Sequence, residues 1–409
     1  IKLKIEKELI MFKTNVGYSV AANATDSGRE TATKASEGLN PKVGLLFTSC
    51  VQNQNEIIAG VKSVCKDMPI IGCTSSAAIV VSGAGYLGNE TGYSGMMTFD
   101  GDDLTVGVAG SAKDSRTPRE IGKAIAREAI KNAGVKVIPS YFYMVASPKE
   151  EEEYLKGIQD VVGRVPMFGG SAADNTVEGK WSIICNDQVF SDGCAVAFFF
   201  AKNECKTNYT GEYRETDHYG VITEVRNNRT LAKIDGVSAL SKYAEWIGST
   251  PADLKGSNLL AASITKPLGI KDPIGNLTVI RHPMFGDDMN TPADNTDDVM
   301  NLGNNLVTKT AVIQMEATVD ELIESNSKAL TDLNKMMKKE AKSYFLVHCG
   351  GRRLGIANAG REKEIYDQIV KVIGDKKFIM VFTFGEYGYR EHSANTCGGL
   401  MLSFTGFSE

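Results

Sequence analysis

Apolar residues along the chain gather in short runs that close on small polar residues, and the order around each run repeats. Residues 43–50 (VGLLFTSC) form a β-branched apolar stretch ending in Thr, Ser and Cys. A helix-compatible stretch follows over 56–66, then 69–76 (PIIGCTSS). The same order returns as 141–147 (YFYMVAS), a helix over about 151–162 and 165–172 (VPMFGGSA). It returns again as 344–350 (YFLVHCG), a helix over about 362–373 and 378–386 (FIMVFTFGE). Each copy leads into a glycine-preceded strand, at 95–99, 193–200 and 399–404. Strand, small-residue turn, helix and strand make a βαβ unit, so the sheets are at least partly parallel. The fold class expected is α/β: mixed sheets built from repeated strand–helix–strand units, in two domains.

The pattern changes near residue 212. Residues 220–235 alternate in polarity, with Asn227-Asn228 as a hairpin turn. A short helix is predicted over 238–247, strands over 274–281 and 307–315, and a long amphipathic helix over 319–339. The domain boundary is therefore placed at 212, giving domains 11–211 and 212–409. Residues 1–10 mix Lys and Glu with Leu and Ile, unlike a secretory leader, and Met11 is the expected natural start.

The 409 residues suit two or three domains. With 45 Lys and Arg against 50 Asp and Glu, the net charge is −5. That balance argues against a nucleic-acid binder or a polybasic membrane partner. The longest apolar run, 194–201, is far short of the roughly 18–20 residues of a spanning helix. Eight scattered cysteines without a CxxC read as reduced core thiols rather than a zinc site or a disulfide framework. A cytoplasmic location is expected.

The candidate chemistry lies just past the carboxyl ends of the repeated strands, where open α/β sheets hold their crevices. Ser49, Cys50, Cys73, Ser75, Gly170, Ser171, Cys349 and Thr383 supply room, hydroxyls and thiols there. Helix starts at such an edge attract carboxylate or phosphate. Arg352, and after it Arg353, follows Cys349-Gly350-Gly351, where a guanidinium can grip a ligand carboxylate bidentately. The plainer alternative is a surface arginine paired with an acid such as Glu362. Glu386 and Asp174 could take an ammonium group or merely cap a loop. An amino acid needs one cationic contact, one acidic contact and a few neutral donors, and this set contains all three.

Other chemistries find less support. His218, His282, His348 and His392 show no haem spacing, and no CxxCH is present. Cys349 beside His348 suggests a thiol and its base, but neighbours on a strand point to opposite faces. There is no GxSxG elbow, Walker loop or GxGxxG. The acidic segment 287–298 (DDMNTPADNTDD) lacks EF-hand spacing and reads as a solvated loop. No catalytic residue, metal or cofactor is expected.

Taken in order, VGLLFTSC and IIGCTSS, FGGSAAD (168–174), VFSDG (189–193), IDGVSALSKY (234–243), HCGGR (348–352) and FTFGE (382–386) resemble the FIST family. That family joins an N-terminal FIST region to a FIST C region. The resemblance implies an intracellular, small-ligand-binding sensory protein, often for an amino acid, rather than an enzyme. Some relatives resemble haem-based nitric oxide sensors, which is one alternative; a thiol-dependent hydrolase is the other. The first motif continues into Ser76-Ala77-Ala78 where the family has Gly-Glu, and the acidic position survives only as Gly385-Glu386. The family region occupies both ends of the chain, so signalling to a separate protein is expected. A homodimer is the default oligomer.

Overall fold

The computed structural model describes residues 11–271, 277–287, 298–391 and 394–409. Its elements follow one order three times. The first unit runs β1 (Lys13–Ser19), α1 (Ala24–Ala35), β2 (Val43–Thr48), α2 (Gln54–Val64), β3 (Ile70–Thr74), the hairpin β4 (Ile79–Val81) and β5 (Gly85–Leu87), and β6 (Ser94–Asp100). The second repeats it as β7 (Thr105–Ala112), α3 (Pro118–Ala133), β8 (Tyr141–Ala146), α4 (Glu151–Val162), β9 (Met167–Ser171), β10 (Ile183–Cys185), β11 (Gln188–Phe190) and β12 (Gly193–Phe200).

The third unit begins with β13 (Cys205–Thr210) and is then interrupted. The insertion holds β14 (Arg214–Arg226), β15 (Thr230–Ile234), β16 (Val237–Ser238), α5 (Ala239–Ile247), α6 (Asn258–Ser263), β17 (Leu268–Lys271), β18 (Thr278–Arg281), β19 (Pro283–Gly286), β20 (Met300–Leu302) and β21 (Ala311–Glu316). The unit resumes with α7 (Val319–Met336), β22 (Ser343–Cys349), α8 (Gly350–Asn358), α9 (Glu364–Ile373), β23 (Lys377–Thr383), β24 (Glu386–Gly388), β25 (Thr396–Gly398) and β26 (Leu402–Phe407).

Each unit builds one six-stranded sheet, but no unit keeps its own hairpin. The orders are β1-β6-β2-β3-β10-β11, β7-β12-β8-β9-β24-β25 and β13-β26-β22-β23-β4-β5. The first unit's hairpin thus completes the third sheet, the second's the first, and the third's the second. The pairs β2/β3, β8/β9 and β22/β23 are parallel, and the other pairs in these sheets are antiparallel. Where the three second strands end, backbone bonds pass round the centre: Ser76 N to Phe382 O (2.9 Å), Phe384 N to Ser171 O (3.4 Å) and Ala173 N to Thr74 O (3.0 Å).

The strands are apolar throughout because both faces are covered. In β2, Leu45 and Phe47 face a core shared by all three sheets while Leu46 faces α1 and α2. Tyr143 and Phe345 meet Phe47 in that core, with ring centroids 5.3–6.3 Å apart. On the outer faces the helix pairs approach closely through glycine. A Cβ at Gly28 would stand 2.0 Å from Ile57 O, and one at Gly60 2.1 Å from Thr25 O. Gly122 and Gly157 repeat this between α3 and α4.

The insertion forms an antiparallel sheet, β18-β17-β21-β14-β15-β20-β19, with β16 on β15 and its own apolar core. Asn227 and Asn228 take positive φ (48° and 61°) in the β14–β15 hairpin, as their short polar side chains allow. A second cluster ties the insertion to the body through Val279, Ile280, Met315, Tyr209 and Met401.

Candidate functional site

The insertion covers the carboxyl ends of the body's strands and leaves a cleft of about 870 Å³. All three units and the insertion line it. The first contributes Ser76; the second, residues 148–151 and 175–181 in part; the third, Cys349 to Gly351, Arg353 and Phe384. Asn228, Arg229, His282, Met284 and Asn301 to Gly303 come from the insertion.

Equivalent strand-end positions are Ser49, Ser147 and Cys349, whose N–H groups donate to Tyr93, Gly193 and Met401 carbonyls. Cys349 caps α8, its Sγ accepting the Gly351 N–H at 3.3 Å. Sequence patterning reads 349–351 as a turn, and the structure replaces that turn with a helix start. The two glycines fit closely against their neighbours. A Cβ on Gly350 would sit 3.3 Å from Ser76 Cβ, and one on Gly351 would sit 3.0 Å from His282 Cε1.

This helix separates the two arginines. Arg352 is buried under α8, where Nη1 donates to Gly211 O (2.6 Å) and Leu400 O (3.2 Å) and Nη2 to Ser325 Oγ (2.6 Å). Its guanidinium faces the Tyr213 ring and ties the segment before β26, α7 and the insertion's root together, away from the cleft. Arg353, one residue on, lines the cleft.

Glu386 is buried, with Thr383 Oγ1 donating to Oε1 (3.0 Å) and Met401 N–H to Oε2 (2.9 Å). Burial pushes its carboxyl up to about 8, so at neutral pH it is largely the protonated acid. Cys349 lies beside it, and burial with the neighbouring Glu386 raises the thiol far above its ordinary value. Asp174 turns its carboxylate inward to the N–H groups of Thr176, Val177, Glu178 and Lys180, which fixes the cleft-wall loop. Asn175 Oδ1 accepts the Ala77 N–H across units.

The remaining small-residue positions lie beneath the cleft. Ser75 Oγ donates to Ala78 O and accepts from Phe382 N–H. Ser171 Oγ pairs with Tyr387 Oη (2.9 Å). Cys73 is in the shared core, and burial pushes its thiol up to about 12. Gly170 pairs with Glu386 across β9 and β24, with no room for a Cβ against Thr383. Ser49 is buried, and half-buried Cys50 has its thiol raised by burial near Asp174. Of the eleven residues singled out from sequence, Cys349 is the one on the cleft surface.

Sequence reasoning missed the charged wall. Glu151, the first residue of α4, is buried, and its carboxyl is raised by burial and by Glu152 beside it. Arg229, at the β14–β15 tip, reaches Glu152 (2.6 Å) and Glu151 (3.4 Å) and donates to Gly303 O. Glu152 also accepts the Asn305 N–H at 3.0 Å, so insertion and body are tied at one end of the cleft. The run Glu150 to Glu153 at a helix start was the available signal.

His282 lines the cleft as a neutral ring, pushed down to about 4 by burial. Its Nε2 approaches Leu260 O at 3.4 Å, which leaves Nδ1 as an acceptor. His348 packs against Phe382 with Nδ1 2.9 Å from Cys349 O, and His218 stacks on Trp246. His392 and most of the acidic segment 287–298 lie outside the described residues. No group of three metal-ligating side chains occurs among the described residues.

The sequence profile of the FIST N domain matches residues 42–237, and that of the FIST C domain matches 239–389. No curated protein sequence matches the chain. Among solved structures, a cyanuric acid hydrolase from A. caulinodans aligns over 97% of this chain and 99% of its own, at 8% identity and a TM-score of 0.36. PurLQS from Thermotoga maritima aligns over 98% of this chain and 74% of its own, at 7% identity and a TM-score of 0.23. Both scores are below 0.5, and neither likeness bears on the activity of this chain.

Proposed function

Because the chain belongs to the FIST family, whose domains are associated with small-ligand sensing in signal transduction, we propose that the cleft is its ligand-binding site. The observation that carries this reading is the cleft's construction. About 870 Å³ is the size of a metabolite pocket, and all three units and the insertion line it. The ligand class we favour is an amino acid or similar small polar metabolite. Its support is a wall carrying both signs of charge, with Arg353 and Arg229 on one side and Glu150 and Glu178 on others. Binding would add contacts between insertion and body, and a separate signalling protein would read that closure.

A thermal-shift screen of the purified protein against free amino acids and close derivatives tests this. A ligand at about 100 times its Kd adds roughly 2.7 kcal/mol, a shift of several degrees. The site itself is tested by Gly303→Phe. Around Gly303 the nearest atoms to a new Cβ are 3.9 Å away, so the ring projects into open cleft. The variant should melt like the parent and lose the ligand shift; a retained shift would place the ligand elsewhere. Hydrolysis of a screened compound, abolished by Cys349→Ser, would favour the thiol-hydrolase alternative instead.

A further inference from the structure

We propose that Arg353 and the first turn of α8 form an anion subsite in the cleft, which takes a carboxylate or phosphate group of the ligand. The proposal rests on reading the cleft as the ligand site.

Arg353 is only 8% exposed yet lines the cleft. Its Nη1 donates to Tyr86 Oη at 3.1 Å, and its guanidinium lies 5.9 Å from the Phe382 ring centre. Its Nε is enclosed and has no acceptor. No carboxylate of the described residues forms an ion pair with it. A guanidinium held out of water without a counter-charge is unfavourable, and such groups are ordinarily paired. The other arginine on the cleft, Arg229, follows that rule through Glu152. Arg352 follows it differently, with three internal oxygen acceptors. Arg353 alone of these three has neither arrangement.

The missing partner has a place to sit. Gly350 and Gly351, the first residues of the nine-residue α8, line the same cleft. Cys349 Sγ takes the Gly351 N–H, and the positive end of the helix, which borders the cleft here, favours an anion. Arg353 Nη1 is taken by Tyr86 and Nε is enclosed, so Nη2 is the nitrogen left to donate to an oxygen of a carboxylate or phosphate.

Titration calorimetry on the full chain tests the subsite with inorganic phosphate, succinate and neutral succinamide. Wild-type protein is expected to bind phosphate or succinate and not succinamide. Whichever anion binds identifies the source of the charge. Arg353→Met should weaken that binding more than tenfold. Equal affinity in a folded Met variant overturns the proposal, as does a wild-type protein that binds neither anion. Should Arg353→Met fail to fold, Arg353→Lys decides, because it keeps the charge and loses the planar fork. Weaker succinate or phosphate binding then supports the subsite, and unchanged binding overturns it. The Gly303→Phe test stands apart: amino-acid binding that is lost in Gly303→Phe but unchanged in a folded Arg353→Met keeps the functional reading and loses this one.

Discussion

Glu386 shows how one side chain can set a pH dependence from below a site. Its carboxyl is satisfied by Thr383 and Met401 and kept protonated by burial, with a folded value of about 8 against an ordinary 4.5. The unfolded chain releases this proton above about pH 4.5, while the folded chain holds it. Stability contributed by Glu386 is therefore full below 4.5 and lost as pH rises toward 8, at up to about 1.4 kcal/mol per pH unit. Buried His282, at about 4, acts in the opposite sense, since its contribution is lost as pH falls below 6.5. The interval from 6.5 to 8 thus reports the buried carboxyls, Glu151 among them. In Glu386→Gln, urea midpoints measured across that interval should decline less steeply than in the parent. An identical slope in both proteins would show that Glu386 does not titrate there.

Among the elements, α8 and the α1/α2 pair carry the most consequence per residue. The sequence Gly350 to Asn358 contains three glycines and is a poor helix by propensity. It persists because Ile356 is buried, Cys349 caps its start and Gly350 and Gly351 fit against Ser76 and His282. One residue of helix turns the chain about 100°, which is why Arg352 goes inward and Arg353 reaches the cleft. Between α1 and α2, Gly60 abuts the Thr25 carbonyl. Gly60→Val should force the pair apart and cost about 3 kcal/mol or more, measured as a lowered denaturant midpoint. Little or no loss would mean that α2 can shift without strain.

For the whole molecule, the exchanged hairpins close a ring in which each sheet needs a neighbour's strands. Ile79 belongs to the first unit but pairs with Val381 in the third unit's sheet, where its side chain joins the shared core. The two tryptophans, Trp181 in the second unit and Trp246 in the insertion, allow the ring to be tested. In a Trp246→Phe background, Trp181 emission follows the second unit's segment that packs on Phe384 of the third unit and leads into the first sheet. Ile79→Ala should lower the midpoint seen by Trp181, by about 2–4 kcal/mol of stability, although Ile79 lies in another unit and another sheet. A midpoint unmoved at Trp181 would mean that the units unfold independently.

The repeated βαβ units, their parallel pairs and the helix over Glu151–Val162 were legible in the chain, since period and run length are local properties. So were the strand ends on which the cleft is founded, because small residues mark them wherever a crevice or a turn forms. Which sheet receives each hairpin was not legible, because a three-residue strand carries no record of its partner. Nor was the start of α8, because Gly350-Gly351 reads as a turn until Ser76 and His282 are seen to crowd these positions. The sequence by itself determined the α/β class, the three-fold repeat and the family. Tertiary structure alone decided that the insertion covers the cleft and that Arg353 rather than Arg352 faces it. It also decided that Glu386 and Asp174 turn inward, because burial and direction depend on which distant segments pack together.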